Sequence, residues 1–251
     1  MDLFSFPPIA ATLDAAYSFL LWLAAILEPL AGTASAAAAI VLITLLLRAA
    51  LIPVGIAQAK GEQVRARIAP KLLALQKRHK NDRERLQRET MKLYSDENTS
   101  PLAGLLPVLI QVPVIGVIYA LFIHTTIAGH GNALLLHQLL GVPLGASAAG
   151  MLGAGTLALG PLAVFALLVA AIAVVAEVTR RRLRPPSATA AVAGSARIVN
   201  ALHFTTAVVA LFVPLAAGVY LLVTVTWTLV QRLILRRRYP LDLPQGRRAE
   251  R

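Results

Sequence analysis

The chain contains no cysteine, so it forms no disulfide, offers no thiolate to a metal and presents no thiol for lipidation. Charge is scarce over long stretches. No Lys or Arg occurs in residues 1–47 or 93–179, and no Asp or Glu lies between Glu28 and Glu62. The chain also lacks a G-x-x-x-x-G-K-[ST] phosphate loop, an H-E-x-x-H zinc helix and a G-x-S-x-G nucleophile elbow. Enzyme activity is therefore not expected, and no catalytic residue or cofactor is assigned. His124, His130 and His137 fall near one another, but spacings of 6 and 7 put no pair at the i, i+4 separation of a helical metal site. They read as interfacial histidines, and no metal site is expected. Residues 1–33 carry only Asp2, Asp14 and Glu28 as charges. They lack both the positive n-region of a secretory signal and the Arg-rich character of a transit peptide, which places residue 1 near the expected true start.

What is present is apolar. Hydrophobic residues make up 57% of 251 residues and mean hydropathy is +0.70, enough for several crossings of about 20 residues each. The expectation is a polytopic membrane protein. Net charge is +12 and strongly segregated, a distribution that reports topology.

Along the chain, residues 1–33 form an N-terminal segment whose apolar stretch Leu13 to Leu27 is bracketed by Asp14 and Glu28 and followed by Pro29. That is short for a span, and it reads as an interfacial helix anchored by Tyr17 and Trp22; a sixth crossing is the competing reading. Residues 34–57 are the first span. Residues 58–99 hold 11 basic and 6 acidic residues, too many for any membrane helix. Within them Val64, Ile68, Leu72 and Leu75 mark one helix face, and Lys80, Asn81 and Asp82 supply a turn. This is a basic helical hairpin. The second span is 101–127, with Pro107, Gln111 and Pro113 inside it. Residues 128–156 are uncharged, with an apolar patch Leu134 to Leu140, and suit a loop resting on the far membrane surface. Spans at 157–178, 198–213 and 216–235 follow, the last pair separated only by Pro214 and Leu215. The loop 180–197 and the tail 236–251 are basic. Placing Lys and Arg on the cytoplasmic side gives an all-α polytopic membrane protein with five transmembrane helices, N-terminus out and C-terminus in, a cytoplasmic helical hairpin and an N-terminal interfacial helix.

Arg48 lies within the apolar run Ala34 to Ala57. A charged side chain at the centre of a membrane helix costs about 2.5–3.5 kcal/mol on insertion scales, so Arg48 is expected to face a bundle interior or a water-filled cavity. The plainer alternative is that it snorkels to the membrane surface. Thr44 is one turn before it on the same face. Tyr220, Thr224, Trp227 and Gln231 recur at spacings of 4, 3 and 4, a single polar stripe on an apolar helix. Gln111 adds another amide. Each of these alone is explained as well by an interhelical hydrogen bond worth about 0.6 kcal/mol; together with Arg48 they suggest a hydrophilic groove.

Ser100, Pro101, Gly104, Pro107, Gln111 and Pro113 resemble the N-P-x-x-G-x-x-P-x-x-x-Q-x-P signature of the YidC/Oxa family of membrane protein insertases. Thr44 with Arg48, the hairpin run Pro70, Lys71, Leu72, Leu75, Gln76 and Arg78 through Tyr94, and Pro214, Ala216, Tyr220 and Gln231 occur in the family's order, so the resemblance covers roughly residues 34–238. Departures are Ser100 in place of Asn, Tyr220-Leu221 in place of an aromatic pair, Thr224-Val225 in place of Ser-Asn, and an Ala/Val-rich third span beyond Pro161. The resemblance implies an insertase or chaperone in a bacterial cytoplasmic membrane, with a groove open to cytoplasm and lipid that takes Arg48, Thr44, Gln111, Tyr220, Thr224, Trp227 and Gln231. Its implied partners are nascent membrane proteins and the lipid bilayer, with the ribosome, through the basic tail and hairpin, and a Sec-type translocon as further candidates. The competing functions are an assembly factor for translocation subunits and a small-solute transporter; no internal repeat of the transporter kind is visible.

Overall fold

The computed structural model describes residues 7–97, 99–100, 116–127, 129–183 and 204–240 and is mostly helical. Helix α1 spans Pro7–Ala31, opening on prolines whose missing N–H costs nothing in a first turn. It is longer than the expected stretch Leu13 to Leu27 and passes through both flanking carboxylates. Asp14 lies 3.1 Å from His130 Nε2, and Glu28 is exposed, so neither charge is stranded. Gly32 then adopts φ +52°, a left-handed conformation that glycine takes freely. One 3-10 turn, Gly32–Ala34, leads into α2, Ser35–Ala50. Helix α1 packs extensively on α2, which a straight continuation would prevent, so the chain folds back here. Ala36, Ala37 and Ala39 of α2 are buried, small side chains of the kind that let neighbouring helices approach closely.

Leu51 interrupts the helix for a single residue. The bonds from Leu51 N–H to Leu47 O and from Gly55 N–H to Leu51 O, 3.0 and 3.1 Å, run across it, so α2 continues almost directly into α3, Ile52–Arg78. Pro53 is tolerated because it sits in the first turn of α3. Helix α4, Arg83–Asp96, is capped by the Asp82 carboxylate, which accepts from Arg85 N–H at 2.9 Å. Glu97, just past α4, receives Arg67 and Lys71 of α3 at 2.6 Å each and pins the two helices together.

Helix α5 covers 116–123. The remainder of the expected span 101–127, including Gln111, Pro107 and Pro113, lies largely outside the described residues. Beyond α5 the uncharged loop is more ordered than an all-α expectation allows. Two antiparallel ladders form there, β1 Thr126–Ile127 with β2 His130–Gly131 and β3 Gln138–Leu139 with β4 Val142–Pro143. Buried Asn132 donates through Nδ2 to Leu121 O at 2.7 Å and His124 O at 2.9 Å, satisfying carbonyls that the end of α5 leaves open. Tyr17 of α1 accepts from Ala133 N–H at 2.9 Å, tying the first helix to this loop.

A short α6, Ala148–Gly153, precedes α7, Leu159–Arg182. Of the expected span 198–213, residues 198–203 lie outside the described residues; the rest contains α8, Thr205–Val209. Helix α9 is Leu215–Arg238. Its first amides are held by loop backbone: Leu215 N–H donates to Ala146 O at 2.8 Å and Ala216 N–H to Leu144 O at 2.9 Å. Three stretches, Pro7–Ala50, Leu159–Arg182 and Leu215–Arg238, are long and apolar enough to cross a membrane by length and composition.

Both α7 and α9 begin at the uncharged loop and end on arginine triplets, Arg180–Arg182 and Arg236–Arg238. The core gathers at the loop end. Phe122, Leu134, Val142, Leu144 and Phe165 are buried there with Leu215 through Tyr220 of α9. Beyond Tyr220 only Leu229 of α9 is buried, and beyond Thr44 no residue of α2 is.

Candidate functional site

Thr44 and Tyr220 mark the floor of that core. Thr44 is 1% exposed and its hydroxyl donates to Ile40 O at 2.6 Å, so it returns its polar group to its own helix. Tyr220 is buried, its ring 6.2 Å from that of Phe122. The structure therefore places these two candidate residues in the packed layer.

Arg48, Thr224, Trp227 and Gln231 lie past that floor, toward the arginine ends; Gln111 lies outside the described residues. Arg48, one turn beyond Thr44, is half-buried and makes no hydrogen bond or ion pair among the described residues. Thr224, one turn beyond Tyr220, has a buried hydroxyl oxygen with no partner among the described residues. Trp227 Nε1 donates to Gln231 Oε1 at 3.0 Å, while the Gln231 amide nitrogen is buried and has no partner among the described residues. Leaving a buried polar group unsatisfied costs about 1–3 kcal/mol. Two such atoms lie on one stripe of α9, and Arg48 on α2 has no counter-charge among the described residues.

What backs this stripe has no counterpart in any sequence pattern. Gly55 of α3 presses against Gln231, and a Cβ there would run into the Gln231 amide nitrogen. Farther along the seam, Glu62 pairs with Arg236 at 3.2 Å, Gln63 Nε2 donates to Pro240 O at 2.6 Å, and Lys60 Nζ lies 5.8 Å from the Tyr239 ring centroid. The base of the basic hairpin is thus fastened to the end of α9. Such contacts between distant segments have no local periodicity to betray them.

A different face of α9 borders a cavity of about 150 Å³ lined by Ile172 and Thr179 of α7, Leu183 just past its end, Thr206 of α8, and Val225 and Arg232 of α9. Its walls are mostly apolar. The nearby Glu177 carboxylate is engaged by Arg180 at 2.6 Å and also by Arg181, which leaves Arg182 and Arg232 as positive charge without a carboxylate among the described residues. Among the described residues no group of His, Asp or Glu is arranged to hold a metal ion.

Comparison with known proteins bears on the whole arrangement. Three relatives, each named membrane protein insertase YidC, align over part of the chain. The protein of Clostridium perfringens is 43% identical over 83 residues, covering 33% of this chain and 35% of the relative. That of Oceanobacillus iheyensis is 36% identical over 91 residues, covering 35% and 36%, and that of Dechloromonas aromatica is 38% identical over 81 residues, covering 32% and 15%. The matched part thus spans about a third or less of these relatives' length. The family model described as 60Kd inner membrane protein matches residues 26–242, a range that runs from the end of α1 through Arg48, the basic hairpin and the polar stripe of α9. With most of its length inside that match, the chain belongs to the 60Kd inner membrane protein family, the YidC/Oxa family.

Proposed function

We propose that the protein is a membrane protein insertase that accepts the polar flank of a nascent membrane protein in a hydrophilic recess around Arg48 and releases the apolar helix into lipid. The observation that carries this reading is the one-sided core: packing is dense from the uncharged loop down to Thr44 and Tyr220 and gives way there to a guanidinium and side-chain atoms that have no partner among the described residues. Transfer of an apolar helix of about 20 residues into the bilayer is downhill; carrying its charged or polar flank through hydrocarbon is the barrier. A recess reaching partway across shortens that path. Arg48 attracts acidic flank residues, and Thr224 and Gln231 offer hydrogen bonds that replace lost water. No covalent step is needed.

In this reading the chain crosses a bacterial cytoplasmic membrane five times, N-terminus out and C-terminus in. The basic hairpin α3–α4 and the tail share the cytoplasmic side, where they meet anionic lipid and present docking surfaces for a ribosome or a Sec-type translocon. Reconstitution in liposomes tests it. A single-span substrate with an acidic tail is added and protease protection of the tail is measured. Wild type is expected to protect the tail without an energy source, and Arg48→Ala to lose most of that protection while remaining folded. Equal protection by both would remove Arg48 from the mechanism. No protection by the folded wild type would leave the assembly-factor reading.

A further inference from the structure

The β3–β4 hairpin turns through Leu140 and Gly141, with Leu139 paired to Val142. Both turn residues have positive φ, 52° and 80°, the geometry of a tight turn that strongly favours Asn-Gly. Leu140 is the only non-glycine residue with positive φ among the described residues. Its side chain crowds the backbone there, and it is nonetheless 70% exposed. A strained residue that packs against nothing in its own fold invites a functional explanation.

The base of the hairpin is fixed. Leu134, Val142 and Leu144 are fully buried, Leu144 N–H donates to His137 O at 2.8 Å, and Gly145 N–H donates to Leu135 O at 2.9 Å. Gly145 leaves no room to shift, since a Cβ would lie 2.9 Å from that of Leu135. From this base Leu136, 78% exposed, and Leu140 project outward. No Lys, Arg, Asp or Glu occurs anywhere from residue 98 to 176, so the hairpin itself offers an incoming partner no fixed charge; Asp14 of α1, the carboxylate that meets this loop, is taken up by His130 at 3.1 Å. The hairpin stands at the end of α7 and α9 opposite their arginine triplets, beside the first turns of two helices apolar enough to span a bilayer. The covering phase consistent with that position and that chemistry is hydrocarbon.

We propose that Leu136 and Leu140 form a rigid wedge that dips into the acyl region of the leaflet at the loop end of the bundle, holding the cap of the core against lipid. This rests on the membrane-spanning reading of α7 and α9 but not on the insertase mechanism. The test exploits the cysteine-free chain: Leu136→Cys and Leu140→Cys are labelled singly with an environment-sensitive fluorophore in proteoliposomes, with Lys80→Cys at the α3–α4 turn as the aqueous reference. The wedge labels are expected to emit to the blue of the reference, to be quenched by lipids brominated on their tails, and to resist aqueous iodide. Quenching by iodide to the same extent as at Lys80→Cys would overturn the proposal. So would self-quenching that grows with protein density, which would make a second copy the occupant. Leu136→Cys lies outside the strained turn and carries the test should Leu140→Cys fail to fold. Insertion activity plays no part in the readout, so loss of the wedge and loss of the insertase reading are separable.

Discussion

At the scale of single residues, Arg48 was legible because a cation in an apolar run is chemically out of place, whereas Gly55 was not. A glycine in a helix announces nothing about a side chain arriving from a segment more than 170 residues away. Its contact with Gln231 makes a specific prediction. Gly55→Ala displaces the amide, breaks the bond from Trp227 and costs about 1–3 kcal/mol as an overpacked contact. With Trp22→Phe as background, Trp227 is the only indole, and its emission is expected to change in Gly55→Ala. The change should vanish when Gln231 is already Ala; persistence in the double variant would place the clash elsewhere. Gly218 behaves differently. A Cβ there meets Leu168 Cδ2 at 2.6 Å, the mobile end of a flexible side chain, so Gly218→Ala is expected to cost less than Gly55→Ala in thermal unfolding, because Leu168 can change rotamer.

At the scale of elements, the arginine triplets told where α7 and α9 end because cations favour helix C-termini and membrane surfaces alike. The extent of α1 was misjudged from its charges, since Asp14 finds His130 across the fold and Glu28 stays exposed at the surface. The small ladders of the uncharged loop escaped notice because two-residue strands carry no readable alternation. The α3–α4 pair carries a pH dependence. Above all the hydrogen bond from Lys71, and further Arg67, hold the Glu97 carboxyl below its ordinary value. A carboxylate with a depressed native pKa stabilises the fold fully above its unfolded value, about 4.3 for Glu, and that contribution disappears as pH falls through the native value. Spin labels on Ala74→Cys of α3 and Lys92→Cys of α4 should report a narrow distance distribution at neutral pH that broadens in acid below the ordinary carboxylate range. Glu97→Gln should be broad at every pH; a narrow distribution there would show that the apolar face of α3 alone holds the pair.

At the scale of the whole molecule, the decisive asymmetry is one of packing, and it runs the same way as the segregated charge. Polarity rises along α9 toward its arginine end, and burial follows it: Leu215 through Tyr220 are buried, and of the turns beyond them only Leu229 is. Water is therefore expected to reach from the arginine end as far as Thr224 and no farther. Single cysteines at Gln231, Thr224 and Tyr220, in the membrane-embedded chain, should react with a polar maleimide readily, slowly and negligibly, in that order. A Thr224→Cys variant as inert as Tyr220→Cys would mean the recess is dry.

The far end is closed by main chain: the amides of Leu215 and Ala216 are gripped by carbonyls of Ala146 and Leu144, and no side chain is consumed in the grip. Exposed positions of this loop can therefore vary without loosening the start of α9, whereas Leu144, fully buried, and Gly145, with no room for a Cβ, cannot.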